Sequence, residues 1–259
     1  MLLSAGDVLA VELINPHALH PVLITGDHAG NAVPEALANL GLPAGELARH
    51  IAWDIGIADL ARLLAARLNA TAVLARYSRL VIDANRALGE AGLIVEASDG
   101  TPVPANLALT DNARAQRITE LYWPYHQTID SQIARLQRRG LIPIVLALHS
   151  FTPALKVGTA PRPWHVGVLY GPDLRLANLL LTALKKEGLT VGANEPYSGV
   201  THGFGLKVHG VAHGIPHAEL EIRQDLITSA EGREVWADRL ARVMQSVLSS
   251  PELKTLQHH

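Results

Sequence analysis

The chain has no cysteine among its 259 residues. That excludes disulfides, thiolate nucleophiles and Cys-based zinc knuckles, so a metal site has to be assembled from His, Asp, Glu and water. It also lacks a charge bias: the formal net charge is -2, without the basic footprint that nucleic acid or an anionic membrane surface calls for. Long apolar runs are missing as well. No segment reaches ~18 uninterrupted apolar residues, and the start, MLLSAGDVLAVEL, has no basic region ahead of an apolar stretch as a secretory signal requires. These absences favour small-molecule chemistry in the cytoplasm, with no nucleic-acid or membrane partner, and leave the oligomeric state open. No internal repeat, Gly/Ser linker or charge block divides the chain, and its length and apolar content fit one α/β domain over residues 1–259.

What is present is alternation. Pro21–Thr25 (PVLIT), Thr71–Ala75 (TAVLA), Leu80–Asp83 (LVID), Pro143–His149 (PIVLALH), His165–Tyr170 (HVGVLY) and Ala218–Arg223 (AELEIR) are short β-rich runs. Between them, Ile57–Leu68 sets Ile57, Leu60, Ala61, Leu64 and Leu68 on one helical face, and Asp173–Glu187 and Ala230–Leu248 are spaced similarly. Asp111–Arg139 reads as a long helix interrupted near Pro124, because proline lacks the backbone donor and clashes with the preceding turn. The pattern predicts a three-layer α/β/α fold with a mixed, mostly parallel sheet, whose ligands sit at the carboxyl ends of the strands.

Thirteen histidines remain to be sorted; the terminal His258 and His259 are set aside as a tag remnant or natural tail. His28 follows PVLIT and His149 ends PIVLAL, so two core strands deliver imidazoles to one rim. A lone rim histidine is more often bonded to backbone, but the matched placement favours a zinc site with three protein ligands. Asp54, among Ile51, Trp53, Ile55 and Ile57, is the best third ligand; equally, it is a candidate cap for the helix that follows. Asp27 is placed to orient His28 from behind.

The segment SRLVIDANR holds Arg79, Asp83, Asn85 and Arg86. A planar guanidinium grips a carboxylate through two parallel hydrogen bonds, so the segment suits an acidic substrate end; the plain alternative is an Arg86–Asp83 pair. In HAELEIR, strand alternation turns His217, Glu219, Glu221 and Arg223 to one face. That face lines a wet cleft or lies at a sheet edge. In a cleft, Glu221, preferred over Glu219, suits a general base acting on water that zinc has brought to a pKa of about 7.

Taken in order, DHAGNAVP, RHIAWDIG, YSRLVIDANR, LHSFTP, RPWHVGVLYG, NEPYSG and ELEIRQDL resemble the N-formylglutamate amidohydrolase family over nearly the whole chain. The resemblance implies a fold related to the zinc carboxypeptidases and a corresponding set of roles. His28 and His149 match metal positions, Asn85 and Arg86 a substrate-carboxylate clamp, Arg79 a carbonyl-polarising arginine and Glu221 the base. The carboxypeptidases carry a glutamate three residues after the first histidine where this chain has Asn31, and Asp54 is the replacement on offer. Arg162 and His165, with Trp164, Asn194 and Tyr197, are candidate pocket residues whose plain alternative is turn formation. His202, His209 and His213 lie in a Gly-rich stretch better read as surface loop than as lid. The implied activity is zinc-dependent hydrolysis of a small N-acyl amino acid, N-formyl-L-glutamate first. The rivals are a metallocarboxypeptidase or other deacylase, a non-catalytic binding protein of the same fold, and a serine hydrolase on Ser150.

Overall fold

The computed structural model describes residues 1–43, 45–155 and 162–259. The sheet contains β1 (Val11–Ile14), β2 (Val22–Gly26), β3 (Thr71–Ala75), β6 (Ile144–Phe151), β7 (Val166–Leu169), β8 (Val191–Ala193) and β9 (His217–Arg223). A small hairpin, β4 (Ala97–Ser98) and β5 (Thr101–Pro102), stands apart. The seven strands are ordered β1-β3-β2-β6-β9-β7-β8. The four central ones, β3, β2, β6 and β9, run parallel, while β1 and β7 join antiparallel. The sheet is therefore mixed and mostly parallel, as its near-continuous apolar strands predict.

Helices cover both faces. On one, α1 (Ile57–Leu68), α4 (Arg175–Lys186) and α5 (Ala230–Val247) pack on Ile24, Leu146, Leu148 and Leu220. On the other, α3 (Trp123–Arg138) lays Tyr125, Ile129 and Ile133 against Leu23, Val73 and Val145. α1 buries the face its spacing predicts, Ile57, Leu60, Ala61, Leu64 and Leu68, and closes on Asn69 in the left-handed conformation. No helix among the described residues is long and apolar enough to cross a membrane.

Two expectations differ from what forms. Leu80–Asp83 is not a strand: Val81 N and Ile82 N both donate to Ser78 O, at 2.8 and 3.4 Å, winding the segment into turns. Leu80, Val81 and Ile82 are all buried in a separate core with Ile51, Leu93 and Val103, so apolar residues crowd every side and no strand-like alternation is needed. The interruption near Pro124 is a wide π-turn, Ile118–Tyr122, that joins α2 (Asp111–Arg117) to α3 with helical backbone throughout. Pro124 is the second residue of α3, directly after the π-turn, and a widened turn of this kind is where a helix accommodates a break in its hydrogen-bond ladder. The edge strands β1 and β8 are only four and three residues long and carry too little pattern to announce themselves.

Candidate active site

β2 is flanked by β3 on one side and β6 on the other, so the strand order reverses there, and a crevice forms outside the carboxyl ends. Asp27 and His28 follow β2 directly. The turn closes tightly: a Cβ on Gly30 would lie 2.0 Å from Arg76 O, so only glycine fits. His149 projects from β6, and the β6–β9 register pairs His149 with Glu221 and Ala147 with Glu219, setting all three ionisable side chains on one face. Because β9 lies between β6 and β7, that polar face is an interior lining and not a sheet edge. Arg223, at its end, is turned to Asp225 on the surface.

Each central histidine is tied by one nitrogen to a carboxylate. His28 Nε2 lies 2.7 Å from Asp83 Oδ1, and His149 Nδ1 lies 2.9 Å from Asp54 Oδ2. Their other nitrogens, His28 Nδ1 and His149 Nε2, have no hydrogen-bond partner, and neither has Asp27 Oδ1. These three buried atoms face one another: Asp27 Oδ1 is 3.0 Å from His149 Nε2 and 3.6 Å from His28 Nδ1. The triad Asp27, His28 and His149 thus converges as a set that suits a metal ion. Asp54, expected as the third ligand, is instead bonded to His149 Nδ1 and accepts Ser150 N at 3.2 Å, while remaining 3.7 Å from His28 Nδ1. It does not cap α1, whose N-cap is Gly56. Locally, Asp54 N donates to His28 O at 2.8 Å, which holds the 54–56 turn beside the histidine pair.

Electrostatically the site is overloaded with acid. Asp27, Asp54, Asp83, Glu219 and Glu221 are each at most 6% exposed, and Arg79 is the permanent cation set among them. Burial pushes the Glu221 carboxyl up to about 8, with Asp54 and Glu219 adding to the shift and His149 opposing it. Glu219 is raised by the same burial. Burial also acts on Asp83, but His28 and Arg79 override it and hold that carboxyl well below the usual range. Burial and Arg79 depress His28, yet Asp83, Asp27 and Asp54 prevail and raise it to about 9. His149 is likewise raised, because Asp27 and Glu219 outweigh its burial.

His28, Asp54, Arg79, His149, Glu219 and Glu221 open onto a cavity of about 210 Å³ lined also by His50, Arg86, Phe151, Tyr197 and His202. Arg79 Nη2 donates to Asp83 Oδ2 at 2.9 Å, and Asn85 Oδ1 accepts Gly205 N at 2.9 Å. The Arg86–Asp83 pair does not form, since Asp83 is taken by His28 and Arg79; among the described residues no hydrogen bond holds the Arg86 guanidinium. Arg162 stands behind the wall, donating to Tyr197 Oη at 2.9 Å and Thr152 O at 3.3 Å. His165 is outside the cavity, contrary to expectation: its Nδ1 accepts Thr190 N at 3.0 Å, so pairing with the chain entering β8 turns the ring away. Asn194 shapes a turn, its Oδ1 accepting Tyr170 N and Gly199 N. Ser150 Oγ donates to Ile55 O at 3.0 Å, and among the described residues no hydrogen bond joins it to a histidine, the pairing an activated serine requires. Sequence reasoning passed over His50, a wall residue held 3.4 Å from Asp99; nothing in its spacing marks it.

Comparison with known proteins fits this geometry. A search of the curated proteins finds no match. A gene product of Agrobacterium tumefaciens of known crystal structure is 34% identical, with a TM-score of 0.92, over 97% of this chain and all of its own. The N-formylglutamate amidohydrolase of Ralstonia eutropha JMP134 is 21% identical, with a TM-score of 0.72, over 93% of this chain and 97% of its own, a likeness of fold. The N-formylglutamate amidohydrolase family model matches residues 20–228. The chain belongs to the N-formylglutamate amidohydrolase family and is a hydrolase of amide bonds.

Proposed function

We propose that the protein is a zinc-dependent amidohydrolase of small N-acyl amino acids, with N-formyl-L-glutamate, the substrate in the family's name, as the first to test. The observation that carries the metal is the convergence of three unpartnered, buried atoms, Asp27 Oδ1, His28 Nδ1 and His149 Nε2, amid an excess of carboxylates that a divalent cation offsets. Asp27, His28 and His149 would hold zinc, with Asp83 and Asp54 fixing the two imidazoles from behind. Zinc, when bound, supplies Lewis acidity that polarises an amide carbonyl and acidifies water.

The chain's own residues do the rest. Glu221, buried with an unpartnered Oε2 and paired across the strands with His149, takes a proton from the attacking water and returns it to the leaving amine. Arg79, held by Asp83, places its positive charge where the scissile carbonyl oxygen becomes negative. Arg86, whose guanidinium has no hydrogen bond among the described residues, grips the substrate carboxylate beside Asn85, whose side-chain carbonyl accepts from Gly205 N and whose amide group remains to donate. Zinc content by elemental analysis and release of amino acid from N-formylglutamate test the reading together. Metal-free protein with full turnover would sink the metal; bound zinc without turnover of any N-acyl amino acid would favour the binding-protein alternative.

A further inference from the structure

A second hollow, of about 620 Å³, opens beside the catalytic cavity and shares four wall residues with it: His50, Arg79, Arg86 and Tyr197. His28, His149, Glu221 and Asn85 line only the first cavity. Past the shared wall the surface is largely apolar, formed by Ile51, Leu80, Val95 and Leu155, with the carboxylates Asp83 and Asp99 at its sides. Arg79 is bonded to Asp83 at 2.9 Å, and His50, whose pKa burial lowers, lies 3.4 Å from Asp99, which Arg49 holds at 3.2 Å. With Arg86 assigned to the substrate carboxylate and Arg79 bonded to Asp83, no unengaged guanidinium among the described lining residues is left to receive a second negative charge.

A formyl group would leave this space unused. We propose that the hollow receives the acyl arm of the substrate, and that the enzyme prefers N-acyl amino acids with an apolar acyl group of several carbons over N-formyl ones. This rests on the amidohydrolase reading above. Arg79, placed at the scissile carbonyl, belongs to both walls, so an arm leaving that carbonyl past Arg79 enters the hollow and meets Leu80 and Val95. The chemistry is ordinary hydrolysis: the amide C–N bond breaks, the water oxygen bonds the acyl carbon, the amine takes the proton, and a carboxylic acid and a free amino acid leave.

The test is kcat/KM of the zinc-loaded protein on N-formyl-, N-acetyl-, N-butanoyl- and N-hexanoyl-glutamate. The expected result is a rise along the series of about tenfold or more, since even one methylene in an apolar pocket is worth roughly tenfold. Val95→Trp, and separately Ser98→Trp at the half-exposed rim, fill the hollow; each is expected to cut hexanoyl turnover about tenfold and leave formyl turnover within about twofold. Turnover highest for the formyl compound, or an equal loss of formyl and hexanoyl turnover in both variants that fold, overturns the proposal while sparing the amidohydrolase. No turnover of any member overturns the amidohydrolase reading and this proposal with it.

Discussion

The two faces of the β6–β9 strand pair are buried to the same degree and built from opposite chemistry. Leu148, Leu220 and Ile222 are fully buried under α1, α4 and α5, while on the reverse side His149, Glu219 and Glu221 are 2, 3 and 5% exposed. On the first face burial is itself the driving force, about 25 cal/mol for each Å² of apolar surface removed from water. On the second, each ionised group costs several kcal/mol unless it is paired. The neighbouring positions of one strand pair therefore divide labour: one side supplies the stability that lets the other hold charge in readiness.

The largest effect tests whether the polar face is organised around a metal. In His149→Ala, bound zinc is expected to fall to background in elemental analysis, and amide hydrolysis to drop by about 10³-fold, the equivalent of several kcal/mol of transition-state stabilisation. Leu148→Ala, one residue earlier and on the opposite face, is expected to lower unfolding stability by about 2–5 kcal/mol in denaturant titration while folded protein keeps its zinc. Zinc retained in His149→Ala, or lost from folded Leu148→Ala, would break the division between the faces.

Next comes the base. Glu221→Gln removes the proton acceptor but keeps the shape, so turnover should fall about 10²- to 10⁴-fold with zinc content unchanged. Because it also removes a buried carboxyl that its surroundings disfavour in the charged form, the variant's thermal midpoint at neutral pH should equal or exceed that of the parent. A lower midpoint would mean that Glu221 is structural, and the polar face no more costly than the apolar one.

The contrast also explains what could be read in advance. The apolar face announces itself by period alone: TAVLA coincides with β3, IADLARLLAARL with α1, and PVLIT and PIVLALH lie within two residues of β2 and β6 at either end. That His28, His149 and Glu221 line one cavity was legible because strand ends and strand alternation fix where side chains point. The placement of Asp27 beside His149 Nε2 and of Asp54 beside His149 Nδ1 was not, since both lie beside the histidines in the chain or in space, and only the angle of the 54–56 turn decides which ring nitrogen each carboxylate meets. His165 misled for the opposite reason: its position beside a strand is typical of a rim residue, but pairing with Thr190 consumes its ring nitrogen.

Which of the two aspartates would hold the metal is open to direct test by a smaller effect. Asp54 holds His149 Nδ1, and loss of such a supporting carboxylate typically lowers metal affinity about 10- to 100-fold. Asp54→Asn, which keeps an acceptor oxygen, should fall at the low end of that range in zinc competition titrations, and Asp27→Asn should lose more. The reverse ranking would return Asp54 to the ligand set and leave Asp27 behind His149.

The smallest effect belongs to the apolar face. Ile222→Val deletes one methylene at a fully buried position directly between Glu221 and Arg223, closer in sequence to the base than any other core residue except Leu220. If the two faces are independent, the cost is the cavity and transfer penalty alone, about 0.5–1.5 kcal/mol of unfolding free energy, with kcat and KM unchanged. The side chain of Ile222 points into the core under α5, and its neighbours across the strands, Ser150 and Val166, make no contact with the metal triad through a side-chain hydrogen bond. A drop in kcat larger than the loss of stability explains would show that packing on one side sets the angle of Glu221 on the other, and the sheet would then act as a coupled lever and not as a partition.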